Sequence, residues 1–188
     1  MGKKMIIAVT GASGSIYAKR LLEKLHVLNI QNDTCDLVFS STAKKIWQYE
    51  LGTPPDETKG SFTIYEKEDF NAPFASGSAG YDTMIIIPCS MGTMGRIASG
   101  VSDDLITRAA DVMLKERKRL ILVIRENPYN LIHLRNMTLL TEAGAIISPA
   151  TPSFYSLPLT IDDLVDTVVN RVLDLAGFEN KGFKWQSE

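Results

Sequence analysis

Short apolar runs recur along this chain, and they lack the alternation of polar and apolar residues that a half-exposed strand shows. The clearest runs are Met5–Val9, Met84–Pro88 and Leu120–Ile124, and shorter strand candidates lie at 36–40, 62–65 and 145–148. Helical patterns separate them, at 16–28, 42–51, 92–98, 103–115, 131–143 and 161–175. Strands that are buried on both faces and connected through helices are typical of a parallel sheet. The sequence therefore predicts an α/β fold of three layers, a parallel sheet with helices on both faces.

Length and composition limit the further possibilities. The chain has 188 residues, of which 45% are hydrophobic, which suits a single domain over residues 1–188. A net charge of −2 gives no electrostatic footprint for nucleic acid. Two isolated cysteines, Cys35 and Cys89, indicate neither a disulfide framework nor a metal site. Without an apolar run long enough to span a membrane or a signal-peptide pattern, we expect a cytoplasmic protein with no membrane contact.

The turn after the first strand indicates a ligand. Small residues at Thr10–Gly14 connect the strand to a helix start, where backbone N–H groups and the helix dipole favour phosphate. Only Gly11 and Gly14 are glycines, so the turn departs from the G-x-G-x-x-G pattern, and it is not an ATP-type phosphate loop. A tight strand–helix turn without a ligand is the alternative.

Three more predicted strands end in small or polar residues: Ser40-Ser41, Cys89–Thr93 and Arg125-Glu126. The carboxyl ends of parallel strands meet at one edge of a sheet, which is where such folds bind ligands. Ser40, Ser90 and Thr93 could also cap helices, and Arg125 with Glu126 could form a structural ion pair. Arg108 and Lys115 lie two helical turns apart and are candidates for an anion site, although a basic helix end is also explained by its dipole.

Several motifs together resemble one known family. They are Thr-Gly-Ala-Ser-Gly at 10–14, Ala-Ser-Gly-Ser at 75–78, Pro-Cys-Ser-x-Gly-Thr at 88–93, Arg-Ala-Ala-Asp-Val at 108–112, Leu-Lys-Glu-Arg at 114–117, Arg-Glu-x-Pro at 125–128, Phe-Tyr at 154–155 and Val-x-Arg-Val-Leu at 169–173. In this order and over nearly the whole chain, they resemble the flavin prenyltransferases of the UbiX type, earlier labelled aromatic-acid or 3-octaprenyl-4-hydroxybenzoate decarboxylase subunits.

The resemblance implies a Rossmann-like (flavodoxin-like) sheet and a homo-oligomer, a dodecamer, with active sites between subunits. It implies that reduced FMN is bound as a substrate and that dimethylallyl monophosphate supplies a prenyl group, which is joined to flavin N5 and C6. The product, prenylated FMN, would serve UbiD-type decarboxylases. No metal would be needed.

The resemblance also implies roles for individual residues. The FMN site would comprise Gly11, Ala12, Ser13, Ser40, Ser90, Met91, Gly92, Thr93 and Arg125. The prenyl phosphate would be held by Lys115, Arg125, Tyr155 and Arg171. Glu126 would handle the phosphate proton, Ser13 would relay a proton, and Glu50 and Lys115 would complete the catalytic set. Phe70 stands where a relative has a tryptophan that lines the prenyl pocket. Phenylalanine keeps the lining aromatic but is a weaker partner for a cation than tryptophan.

Two other functions are compatible with this fold. One is a flavin-dependent decarboxylase that acts directly, like the flavin-containing cysteine decarboxylases, but their Pro-Ala-Ser-Ala-Asn-Thr segment and well-placed histidine are absent from this sequence. The other is a non-catalytic flavin-binding subunit of a decarboxylase complex. The cationic residues that match the phosphate clamp argue against it.

Overall fold

A parallel sheet forms the centre of the molecule. The computed structural model describes residues 3–28, 34–55, 62–180 and 182. Within these ranges six strands form one sheet in the order β3-β2-β1-β4-β5-β6. The strands are β1 (Lys4–Val9), β2 (Thr34–Phe39), β3 (Phe62–Tyr65), β4 (Thr83–Cys89), β5 (Arg119–Ile124) and β6 (Ile146–Pro149). Every neighbouring pair is parallel, which confirms the predicted fold class.

Helices cover both faces of this sheet. They are α1 (Ser15–Val27), α2 (Ser41–Leu51), α3 (Met91–Ala98), α4 (Leu105–Lys115), α5 (Leu131–Glu142) and α6 (Ile161–Leu175). One hydrophobic layer joins the sheet to α1, α2 and α6, and the other joins it to α3, α4 and α5. Successive side chains of β1 lie in opposite hydrophobic layers. Met5 and Ile7 belong to the layer with α1, α2 and α6, Ile6 belongs to the other layer, and all three are fully buried. Burial on both faces explains why the strands lack alternation.

The predicted element boundaries agree with the structure to within one or two residues, and the differences have local causes. Helix α4 begins at Leu105 rather than Asp103, because the carboxylate of Asp104 caps it and accepts the N–H of Thr107 at 2.8 Å. Helix α6 occupies the predicted range, and Thr160 caps its start.

The strand order fixes where a ligand can bind. The chain builds outward from β1 in one direction through β2 and β3, and in the other through β4, β5 and β6. The order therefore reverses between β1 and β4, and open α/β sheets bind ligands beyond the carboxyl ends of the strands at such a point. Without the four-residue edge strand β3, the remaining order is that of flavodoxin; with it, the order is the Rossmann one.

Residues 66–80 lie outside the predicted strands and helices, and the structure gives them two short 3-10 helices at Pro73–Ala75 and Gly77–Ala79. Phe74 is fully buried, and its ring contacts the rings of Tyr65 and Tyr81 edge to face, with centroids 5.2 and 5.5 Å away. Arg108 also donates a hydrogen bond to the carbonyl of Ala75 at 3.0 Å. The segment of residues 66–80 therefore packs against α4.

No helix in the described ranges is both long and apolar enough to cross a membrane.

Candidate active site

Thr10 joins the carboxyl ends of β1 and β4. Its buried hydroxyl donates to the carbonyl of Pro88 at 2.8 Å and accepts the backbone N–H of Ser90 at 2.8 Å. Further backbone bonds connect Ser40 to Val9 and Arg125 to Cys89. The ends of β2, β1, β4 and β5 are therefore held side by side, and they carry most of the residues predicted to bind FMN.

The predicted flavin-binding hydroxyls cap helices in the structure. Ser40 Oγ accepts the N–H of Ala43 at 3.1 Å at the start of α2, and Ser90 Oγ accepts the N–H of Thr93 at 3.3 Å at the start of α3. Ser90 also donates to the hydroxyl of Thr93 at 3.1 Å. Gly92 lies in the first turn of α3, and a Cβ there would meet nothing within 4 Å. The start of α3 therefore has open space beside it for a ligand.

Glu50 occupies the start of α1. Its carboxylate accepts the N–H of Ser15 at 2.7 Å and the N–H of Gly14 at 3.0 Å. Burial raises the pKa of Glu50, but hydrogen bonds from the Ser13 hydroxyl and these two N–H groups outweigh it, so the net pKa lies below its ordinary value. The sequence predicted a phosphate at the start of α1. In the structure the anion at this position is the carboxylate of Glu50, because α2 packs beside α1 and carries Glu50 to it.

Arg125 and Glu126 follow β5 at the same edge, and the described residues show no ion pair between them. Arg125 is exposed, and Glu126 is half-buried and accepts the N–H of Asn127 at 3.0 Å. The positive charge of Arg125 reaches Tyr17 on α1, where burial raises the pKa of the phenol and Arg125 partly offsets that rise. The ion pair between Arg125 and Glu126, which the sequence offered as an alternative interpretation, is therefore not formed in the structure.

Cys89 precedes Ser90 but offers no nucleophile. The side chain is fully buried, and burial raises the pKa of its thiol to about 12. A thiolate at this position is strongly disfavoured at neutral pH.

Lys115 lies far from these strand ends. It is the last residue of α4, about 15 Å along the helix from Leu105, and α4 runs opposite to the strands. Its ammonium contacts the carboxylate of Glu116 at 2.6 Å, and this hydrogen bond lowers the pKa of Glu116. Lys115 therefore sits toward the amino ends of the strands.

Tyr155 and Arg171 lie on the other side of the sheet. Both line a cavity of about 1080 Å³ between α6 and the segment that follows β6. Helix α6 packs on the sheet face opposite to the one that α4 covers. One chain therefore brings Tyr155 and Arg171 together but does not bring Lys115 to them.

A family model described as Flavoprotein matches residues 1–173 of this chain. The flavin prenyltransferase UbiX of Methanocaldococcus jannaschii is 47% identical over 182 residues, which cover 96% of this chain and 97% of that protein. The chain belongs to the UbiX flavin prenyltransferase family.

Solved structures in the UbiX family have the same fold. A dodecameric FMN-dependent UbiX-like decarboxylase from Escherichia coli O157:H7 is 40% identical, with a TM-score of 0.92 and 98% of this chain and 100% of that chain covered. A UbiX protein in complex with FMN and dimethylallyl pyrophosphate is also 40% identical, with a TM-score of 0.90 and coverage of 99% and 100%.

For this UbiX family member, two residues at the strand ends have roles that the sequence did not assign. Thr10 joins two strand ends through its hydroxyl, and the charge of Arg125 acts on the phenol of Tyr17. The position of Thr10, directly after a buried strand and before a glycine, was a usable signal. The role of Tyr17 depends on the proximity of residues distant in sequence. Phe70 lies beyond the end of β3 with half of its side chain exposed.

Proposed function

We propose that this protein transfers a dimethylallyl group from dimethylallyl monophosphate to N5 and C6 of reduced FMN. The observation that carries the proposal is 47% identity to a flavin prenyltransferase over 96% of the chain. The residues at the strand ends fit FMN, because they combine open backbone at Gly92 with hydroxyls and one arginine. Reduced FMN, when bound, supplies the nucleophile, so a nucleophilic side chain is not required.

The FMN site would lie across four neighbouring strand ends. Its residues are Gly11, Ala12, Ser13, Ser40, Ser90, Met91, Gly92, Thr93 and Arg125. Thr10 supports the proposal, since its two hydrogen bonds hold the turns after β1 and β4 at a fixed spacing. A fixed spacing lets the protein hold a flat ring in one orientation.

The prenyl phosphate would be held by Lys115, Arg125, Tyr155 and Arg171. When the allylic C–O bond breaks, charge develops on the leaving phosphate, and cations fixed beforehand stabilise it. Because Lys115 and Arg171 lie on opposite faces of the sheet, we infer that different copies of the chain supply them. The dodecameric state of the Escherichia coli relative supports this arrangement.

Two carboxylates would handle protons. Glu126 would hold a proton at a phosphate oxygen, since it lies directly beside Arg125 and is not ion-paired with it. Ser13 donates a hydrogen bond to Glu50, and this contact would let a proton pass from the hydroxyl to a carboxylate that is charged at neutral pH.

Further parts of the proposal extend beyond the site. We infer a homo-dodecamer, one domain over residues 1–188, a cytoplasmic location and a UbiD-type decarboxylase as the user of the product. The two hydrophobic layers on one continuous sheet support the single domain.

Direct decarboxylation by a flavin-dependent enzyme is the second candidate, because the Escherichia coli relative is described as a decarboxylase. Against it stands the absence from this sequence of the Pro-Ala-Ser-Ala-Asn-Thr segment and the well-placed histidine of the flavin-containing cysteine decarboxylases.

Mass spectrometry of the flavin tests the proposal. The protein is incubated anaerobically with reduced FMN and either dimethylallyl monophosphate or dimethylallyl pyrophosphate. We expect the flavin to gain one C5H8 unit and inorganic phosphate to be released with the monophosphate. Product from the pyrophosphate alone would correct the donor, and an unchanged flavin with both donors would refute prenyl transfer. An aromatic acid losing CO2 without any prenyl donor would support the second candidate.

A further inference from the structure

Tyr17 lies in the first turn of α1, directly after the turn that follows β1. The side chain is half-buried and packs against the hydrophobic layer of α1, α2 and α6. A Cβ at Gly14 would lie only 2.9 Å from the ring of Tyr17, and Gly14 also has a positive φ of 112°. Glycine is therefore needed at position 14, and the ring of Tyr17 packs directly on its backbone.

Ion pairs determine the direction in which this part of α1 is turned. Arg20 donates two hydrogen bonds to the carboxylate of Asp166 on α6, at 2.9 and 2.8 Å. Lys24 contacts the same carboxylate at 2.9 Å. Residues three and seven positions apart share one face of a helix, so Tyr17 lies on the side of α1 that is turned toward α6. Helix α6 packs on the same face of the sheet, against β5.

Arg125 follows the carboxyl end of β5. Only β4 separates β5 from β1, so the two strands whose ends lead to Arg125 and Tyr17 are about 9–10 Å apart. A tyrosine and an arginine side chain can span this distance between them. The charge of Arg125 acts on the phenol of Tyr17 and offsets part of the pKa rise that burial causes. The hydroxyl and the guanidinium therefore lie near one another at the end of β4.

The described part of the chain supplies no acceptor for this pair of donors. Within it the hydroxyl of Tyr17 makes no hydrogen bond, and Arg125 forms no ion pair. The carboxylate of Glu50, at the start of α1, is already bonded to the N–H groups of Gly14 and Ser15. A neutral donor and a cation that lie together without a protein acceptor fit an anionic ligand with several oxygens.

We propose that the hydroxyl of Tyr17 donates a hydrogen bond to the phosphate that Arg125 binds. This inference rests on the proposed function, in which Arg125 contributes to the sites of FMN and of dimethylallyl monophosphate. Both molecules are phosphate monoesters, so both offer the same acceptor. The contact with Gly14 holds the ring of Tyr17 in place before a ligand arrives, which reduces the entropy lost on binding.

Tyr17→Phe tests the proposal, because it removes the hydroxyl and keeps the ring on Gly14. Fluorescence quenching gives the affinities of the variant and the wild type for FMN and for riboflavin, which lacks the phosphate. If Tyr17 binds the FMN phosphate, we expect the affinity for FMN to fall roughly tenfold, the effect of one hydrogen bond to a charged group, and that for riboflavin to stay unchanged. Tyr49→Phe, at a 90% exposed position on α2, is the matched control.

Calorimetry tests the other phosphate. Dimethylallyl monophosphate is titrated into the complex of each protein with oxidised FMN. A roughly tenfold loss of affinity for the monophosphate in Tyr17→Phe, with an unchanged affinity for FMN, would assign the hydroxyl to the prenyl donor. Equal losses for FMN and riboflavin would overturn the proposal, as would unchanged affinities for both phosphates.

These binding measurements do not depend on turnover. A wild-type protein that binds both phosphates but makes no prenylated FMN would refute the proposed function, while the affinities of Tyr17→Phe would still decide the role of the hydroxyl. A wild-type protein that binds neither phosphate would overturn both.

Discussion

At the scale of single residues, substitution of Glu126 can separate a role in proton transfer from a role in ligand binding. Because it forms no ion pair with Arg125, Glu126→Gln breaks no charged contact at the end of β5. We predict that FMN and prenyl-phosphate binding survive, while the rate of the chemical step falls by about 10²–10⁴-fold, the usual contribution of a general acid or base.

Single-turnover absorbance at saturating ligands measures that rate for Glu126→Gln. Glu66→Gln, which removes a surface carboxylate paired with Lys44 at 2.9 Å, is the control and should keep the wild-type rate. If Glu126→Gln reacted at nearly the wild-type rate, Glu126 would have no part in proton transfer.

A second residue-scale prediction concerns Asp36 and Tyr81, which form a hydrogen bond in the core. Burial raises the pKa of Asp36, and the bond from Tyr81 and the charge of Lys4 partly offset this rise. Tyr81→Phe removes the donor and should lower the free energy of unfolding by about 1–3 kcal/mol at neutral pH.

The sign of the pH dependence follows from the direction of that pKa. An acid whose folded pKa is raised binds its proton more readily in the folded state, so folding gains stability as the pH falls through that pKa. In Tyr81→Phe the pKa of Asp36 should rise further, and the stability difference from wild type should shrink toward acidic pH. Urea unfolding at several pH values measures this. Tyr65→Phe, whose ring contacts Phe74 in the same way, should show no such pH dependence.

At the scale of elements, the spacing of β1 and β4 at their carboxyl ends depends on Thr10. Thr10→Val leaves the N–H of Ser90 without its partner, while the carbonyl of Pro88 keeps only the backbone N–H of residue 10 at 3.2 Å. The unpaired N–H should lower the free energy of unfolding by about 1–3 kcal/mol. The substitution should also weaken FMN binding, because the turns on both sides of the proposed flavin site lose their fixed spacing.

Thr83→Val is the matched control for Thr10→Val. Thr83 is also buried, but it lies at the amino end of β4, where its hydroxyl donates to Asp82 at 2.9 Å. We expect a loss of stability with an unchanged FMN affinity, measured by fluorescence quenching. Equal effects of both variants on FMN affinity would show that Thr10 acts only through overall stability.

At the scale of the whole molecule, the opposite placement of Lys115 and Arg171 predicts complementation between inactive variants. Lys115→Ala and Arg171→Ala should each lose most activity. When both variants are co-expressed, the two kinds of chain should mix at random in each assembly. About a quarter of the sites should then be intact, because such a site takes Lys115 from an Arg171→Ala copy and Arg171 from a Lys115→Ala copy.

The measurement is turnover per chain of the purified mixed assembly, compared with each variant alone. Lys115→Ala mixed with Lys115→Ala/Arg171→Ala is the control and should stay inactive. No recovery in the first mixture would show that one chain supplies both residues to each site.

The sequence by itself determined the fold class and which residues lie at the carboxyl ends of the strands, while the binding of FMN by these residues stays a prediction. Apolar runs without alternation required a sheet covered on both faces, and the carboxyl ends of its strands had to meet at one edge, so Thr10–Gly14, Ser40, Ser90 and Arg125 were placed correctly. Only the tertiary structure decided which anion occupies the start of α1. Glu50 is 35 residues away from Ser15, and its reach depends on how α2 packs beside α1.

The same limit applies to Lys115, Tyr155 and Arg171. Sequence motifs grouped them around one phosphate, but the direction of α4 and the sheet face that α6 covers place Lys115 apart from Tyr155 and Arg171 in a single chain. Local patterns report periodicity and burial over a few turns, whereas the side of the sheet on which a helix packs is set by crossover connections and long-range contacts. The grouping of the strand ends could be predicted, because the geometry of a parallel sheet brings them together. The sheet faces on which the predicted phosphate-binding residues lie could not be predicted from local patterns.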